Sequence, residues 1–154
     1  MQKYNFLFTF VTKMEVNMKN LWILARHYPF TTACVIIIWV LCLMPIPETP
    51  LSHVRLIDKW THLVMYGGLC TVIWAEQLRN NRRVAWPRAI VGAIVLPVLM
   101  GGLIEIVQAY CTGGRRSGDW MDFAADSIGV AIGTVIGILL AACLARYRRG
   151  NAAG

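Results

Sequence analysis

The sequence predicts an all-α polytopic membrane protein, a bundle of four transmembrane helices, from three observations. Of its 154 residues 57% are hydrophobic and only 15% charged, with a mean hydropathy of +0.55, whereas soluble domains are roughly a quarter charged. Four apolar stretches approach the length of a bilayer span. The basic residues fall on one side of those stretches and most of the acidic residues on the other.

The first stretch, residues 28–47, carries no charge and has TTACVIIIWVLCLM at its centre. A hydrocarbon core of ~30 Å takes about 20 residues of helix, with a range of ~17–25, so this stretch qualifies outright. The second, residues 60–75, is uncharged but short and borrows from its flanks. The third, residues 89–104, stays apolar past Glu105 as far as Cys111, and the fourth, residues 127–145, is rich in Ile, Gly and Ala. None alternates as a barrel strand would, and only helices or closed barrels satisfy the backbone in lipid. The expected organisation is an amino-terminal tail over 1–27, a four-helix domain over 28–146 and a basic tail over 147–154, with Met18 as an alternative start.

Charge placement orients the bundle. Lys3, Lys13, Lys19, Arg26, Arg79, Arg82, Arg83, Arg88, Arg146, Arg148 and Arg149 share one side with only Glu15 and Glu76. The other side holds Arg55, Lys59, Arg115 and Arg116 beside Glu48, Asp58, Glu105, Asp119, Asp122 and Asp126. By the positive-inside rule both termini are cytoplasmic and loops 45–59 and 112–120 face outward. The net charge of +7 is therefore not one basic surface. Membrane lipids are the expected partners and nucleic acid is not. The five cysteines show no disulfide or metal spacing.

An ionisable residue inside a span costs about 2.5–3.5 kcal/mol on insertion scales unless it pairs or faces a wet cavity. The polar residues in and beside the spans therefore stand out. Asp58 and His62 are four apart where the second helix begins, with Tyr66 one turn further along the same face. Glu105 and Gln108 are three apart in the third helix. Asp119, Asp122 and Asp126 open the fourth, and their face continues into Gly129, Gly133 and Gly137. Small residues at that spacing let helices approach closely, so the stripe is expected to pack inside the bundle. The carboxylates then enter a cleft shared with helices two and three. A purely structural alternative pairs the acids with Arg115 or Arg116, with Asp58 as an N-cap.

The order D-K-x-x-H, E-x-x-Q, R, D-x-x-x-D-x-x-G-x-x-x-G, carried by Asp58, Lys59, His62, Glu105, Gln108, Arg116, Asp122, Asp126, Gly129 and Gly133, resembles the VanZ-like family of bacterial membrane proteins over residues 30–145. Many relatives carry Asn where this chain has Asp126. The resemblance implies an envelope protein, and the founding member is associated with resistance to the glycopeptide teicoplanin. An outward cleft would then bind or modify an envelope or lipid head group, with an envelope precursor or glycopeptide as partner. His62, Glu105 and Asp122 are the candidate catalytic residues, and His62 is the natural proton carrier. Asp58, Lys59, Tyr66, Gln108, Arg116 and Asp126 are the candidate ligand-binding residues. No cofactor and no resident metal are expected.

Two other readings compete, and a third is rejected. Asp119, Asp122 and Asp126 repeat a D-x-x-D-x-x-x-D spacing similar to the UbiA-type prenyltransferases, which would make the chain a Mg²⁺-dependent enzyme on a lipid diphosphate. Gly118-Asp119 stands in place of a G-x-G-D aspartyl protease motif, but Arg116 occupies the first glycine position and no partner motif is present. A structural or adaptor bundle would use the acidic stripe as an ion-paired clamp.

Overall fold

The computed structural model describes residues 19–44, 56–81, 84–113 and 118–151, and among these every regular element is helical. Helix α1 (Lys19–His27) meets α2 (Pro29–Leu43) at a bend of 106°. Pro29 has no amide hydrogen to continue the α1 ladder and a φ already suited to opening a new helix. Helices α3 (Ile57–Asn80), α4 (Trp86–Cys111) and α5 (Trp120–Gly150) follow. Residues 19–27, assigned from sequence to the tail, are thus helical, and α5 runs on past residue 146.

α4 and α5 are each long and apolar enough to cross a membrane, and the bent pair α1–α2 makes a third candidate span. α3 falls short on composition because Asp58, Lys59, Glu76 and Arg79 occupy its end turns. It is also the helix that the others surround, touching α2, α4 and α5. The outer surface is apolar, with Ile36, Leu99, Ile106, Val135 and Leu139 all exposed. Lipid, not water, suits such a surface.

Helix α5 lies against α3 backbone to backbone. A methyl group on Gly133 would sit 2.5 Å from the Gly67 carbonyl oxygen and 2.7 Å from Cys70 Cβ. One on Gly129 would strike the Leu63 carbonyl, and one on Gly137 would enter the Trp74 ring. Removing Cβ at all three levels is what lets the axes approach.

Helix ends and interruptions find partners on neighbouring helices. α2 has no side-chain N-cap of its own. Its first amides, Phe30 N–H and Thr31 N–H, donate instead to Glu76 Oε1 and Oε2 of α3 at 3.0 and 2.8 Å. At its other end Gln108 Nε2 donates to the Cys42 carbonyl at 2.8 Å. Within α4 residues Val91–Val95 form a π-helical turn just before Pro97. Pro97 has no amide hydrogen for the Ala93 carbonyl, and the Cys70 thiol donates to that oxygen at 2.9 Å.

Overpacking a tight contact costs typically 1–3 kcal/mol. Gly133→Val should therefore lower the melting transition of the detergent-solubilised chain by an amount equivalent to about 2 kcal/mol. Val135→Leu, on the exposed face of the same helix, should leave it unchanged. Equal effects of the two substitutions would contradict the packing.

Candidate functional site

The polar residues gather where α3 and α5 begin and α4 ends. Asp119 is the N-cap of α5, its Oδ1 accepting from Met121 N–H at 2.9 Å. Its other oxygen, Oδ2, meets Lys59 Nζ of α3 at 2.6 Å, and Asp122 Oδ1 lies 2.6 Å from the same ammonium. Both acids also sit at a helix N-terminus, where the backbone dipole favours negative charge. The Lys59 ammonium, together with the Met121 amide, holds the Asp119 carboxyl below the usual carboxylate range.

One turn further in, His62 Nδ1 faces Asp126 Oδ1 at 2.9 Å. His62 is 3% exposed and Asp126 0%. With a carboxylate opposite, Nδ1 carries the proton and donates, which leaves Nε2 as the second functional nitrogen. Glu105, 8% exposed on α4, accepts from the Asp119 backbone N–H through Oε2 at 2.7 Å. Its Oε1 and Asp126 Oδ2 are buried without a hydrogen-bond partner among the described residues, as is the Tyr66 hydroxyl. Burying an acceptor in that state carries a desolvation penalty of about 1–3 kcal/mol, and more when the group is charged.

Two groups of side chains converge closely enough to hold a cation, with one ligand atom from each member inside 4.8 Å of the others. They are His62 with Glu105 and Asp126, and Asp58 with His62 and Asp122. Asp119 belongs to neither. Along Asp119, Asp122 and Asp126 the partners differ, because Lys59 bridges the first two, the Met121 amide also meets Asp119, and His62 takes the third.

Other residues singled out from sequence have different surroundings. Gln108 commits its amide nitrogen to the Cys42 carbonyl and so closes the end of α2. Asp58 lies inside the first turn of α3. The N-cap position there belongs to Leu56, which adopts a left-handed φ of 64°. Arg115 and Arg116 lie outside the described residues. Two glycines shape the cleft, Gly101, which sequence reasoning did not single out, and Gly118, which it met only in the protease motif beside Asp119. A methyl group on Gly101 would sit 2.7 Å from Asp126 Oδ2, and one on Gly118 would strike the Glu105 carbonyl. Nothing local marks either one, since each matters only through the approach of another helix.

A protein-family model described as VanZ/LLP1 matches residues 2–141. No curated protein and no solved structure matches the chain.

The Asp119 ion pair carries a pH signature. A carboxylate held below its unfolded value contributes stability above about pH 4, and loses it as pH falls through the folded-state value. Lys59→Met should therefore lower the melting temperature in detergent at pH 7, with the gap from the parent narrowing as pH drops towards 3. A gap that stays constant from pH 7 to 3 would contradict the pairing.

Proposed function

The chain belongs to the VanZ/LLP1 family, and from that premise we propose a multi-pass protein of the bacterial cytoplasmic membrane whose outward polar cleft binds the head group of an envelope lipid or lipid-linked precursor. In this reading α3 is the fourth span. Its polar ends lie at the two interfaces and its middle is shielded by the other helices. The basic end of the bundle is cytoplasmic by the positive-inside rule.

The observation that carries the reading is the buried convergence of His62, Glu105 and Asp126 with acceptor oxygens left unfilled. Packing alone does not need such groups. Among the described residues the cleft holds Asp58, Glu105, Asp119, Asp122 and Asp126 against Lys59 and His62. It therefore favours a ligand group that donates hydrogen bonds, an amine or a hydroxyl. Arg116 would add a cation for a neighbouring anionic group. His62, oriented by Asp126, is the group suited to carry a proton to or from the ligand, with Glu105 as its exchange partner. A link to glycopeptide resistance of the teicoplanin type follows from the family alone.

A structural reading has its own support. Lys59 with Asp119 and Asp122, and Glu105 with the Asp119 amide, already form a clamp joining α3, α4 and α5. The two readings separate in a strain lacking the gene, complemented with His62→Ala, Glu105→Gln or Asp122→Asn. The head-group reading expects each variant to reach the parental level in the membrane yet leave the strain as sensitive to teicoplanin as the deletion. Restored resistance at normal abundance would overturn it, and loss of abundance in step with resistance would favour the clamp.

A further inference from the structure

At the opposite, basic end of the bundle two adjoining cavities lie between α2, α3 and α4. The larger, about 700 Å³, is a groove walled by apolar side chains that include Val35, Leu69, Ile73, Leu96 and Met100. Its volume falls within the ~300–1,000 Å³ of small-ligand sites. The smaller, about 50 Å³, is a recess lined by Trp74, Asn81 and others. Tyr28, Gln77 and Arg88 line both, so the recess continues the groove at its polar end.

The polar end carries a cation and no carboxylate. Neither cavity has an Asp or Glu in its lining. The Arg88 guanidinium has no ion-pair partner among the described residues, where Glu76 is taken by Arg79 and by the amides of α2. Trp74, 1% exposed, has an indole N–H with no hydrogen-bond partner among the described residues. The groove is opened by local backbone chemistry. Gly92, inside the π-helical turn, lies so close to Gln77 that a methyl group there would sit 3.1 Å from Nε2. Isolated π-helical turns inside α-helices frequently mark functional positions.

An apolar channel that ends at a guanidinium without a counter-ion suits an amphiphile with an anionic head. We infer that this groove is a binding site for a membrane lipid whose phosphate head carries a net negative charge, with an acyl chain along Leu69 and Ile73 and the phosphate at Arg88 beside Trp74. Arginine recognises phosphate by paired, charge-assisted hydrogen bonds. Basic pockets between membrane helices on the cytoplasmic side hold anionic lipid heads on the same principle. The site is separate from the acidic cleft and does not depend on what that cleft binds.

The test uses the full chain, purified in detergent and stripped of lipid, with binding read by native mass spectrometry. Phosphatidylglycerol should bind one molecule per chain, about tenfold more tightly than phosphatidylcholine with the same acyl chains, as befits a site with one unopposed cation. Inorganic phosphate should compete weakly. Arg88→Gln should abolish the preference and Arg88→Lys should keep most of it. Gly92→Leu, which fills the groove, should weaken both lipids, and a melting curve confirms that it folds. Equal affinity for the two lipids, an unchanged preference in Arg88→Gln, or competition by phosphate as strong as by lipid would each overturn the inference.

Discussion

Much of this structure depends on how closely α5 can lie against α3. With no Cβ at Gly129 and Gly133, the backbone of α5 rests on the carbonyls of Leu63 and Gly67. That contact sets the height and rotation of every side chain above it. Lys59 comes opposite Asp119 and Asp122, and His62 opposite Asp126. The order is electrostatically sensible. The first two acids share the favourable field of the helix N-terminus with an ammonium ion. Asp126 sits a full turn deeper, where that field has fallen away, and relies on the imidazole. A wider helix spacing would leave it buried and alone, at the large penalty that attends an unpaired charge.

Water is scarce in a lipid-solvated bundle, so each backbone group freed by an irregularity needs a protein partner. α2 is the clearest case, held at one end by the Glu76 carboxylate and near the other by the Gln108 amide. The Ala93 carbonyl, denied an amide by Pro97, is met by Cys70. These contacts fix α2 and α4 around α3, and the bundle is left with two ends of opposite character. One is rich in carboxylates with unfilled acceptor oxygens, and the other presents Arg88 and an unpartnered indole N–H at the end of an apolar groove.

The all-helical architecture was legible because apolar runs of membrane length have few alternatives. The number of spans was less so, since the uncharged part of α3 is short and its ends are polar. Its packing against α2, α4 and α5 is something hydropathy does not see. The stripe Gly129, Gly133, Gly137 could be read from spacing, because small residues every three or four positions define one helical face. Glu76 looked like an ordinary charge beside the basic loop. Its role depends on amides some 45 residues away in sequence. The absence of a Ser, Thr, Asp or Asn before Pro29 was the one local hint that α2 needed an acceptor from elsewhere. Asp119 shows what a regular acidic spacing leaves out, since it caps α5 and shares the Lys59 ammonium with Asp122 while Asp126 pairs with His62. The groove at the basic end had no linear signature at all.

The α3–α5 contact can be measured without touching the polar cleft. Cys70 Sγ lies 3.4 Å from Thr134 Oγ1, so Thr134→Cys places a second thiol beside the native one. In membranes containing a chain whose other four cysteines are replaced by Ala, mild oxidation should join residues 70 and 134 rapidly and nearly completely. The product is scored by loss of both thiols to alkylation in mass spectrometry. Val135→Cys in the same background, on the exposed face of α5, should stay reduced. Failure of the 70–134 pair to form, or equal formation with position 135, would contradict the helix approach on which the cleft depends.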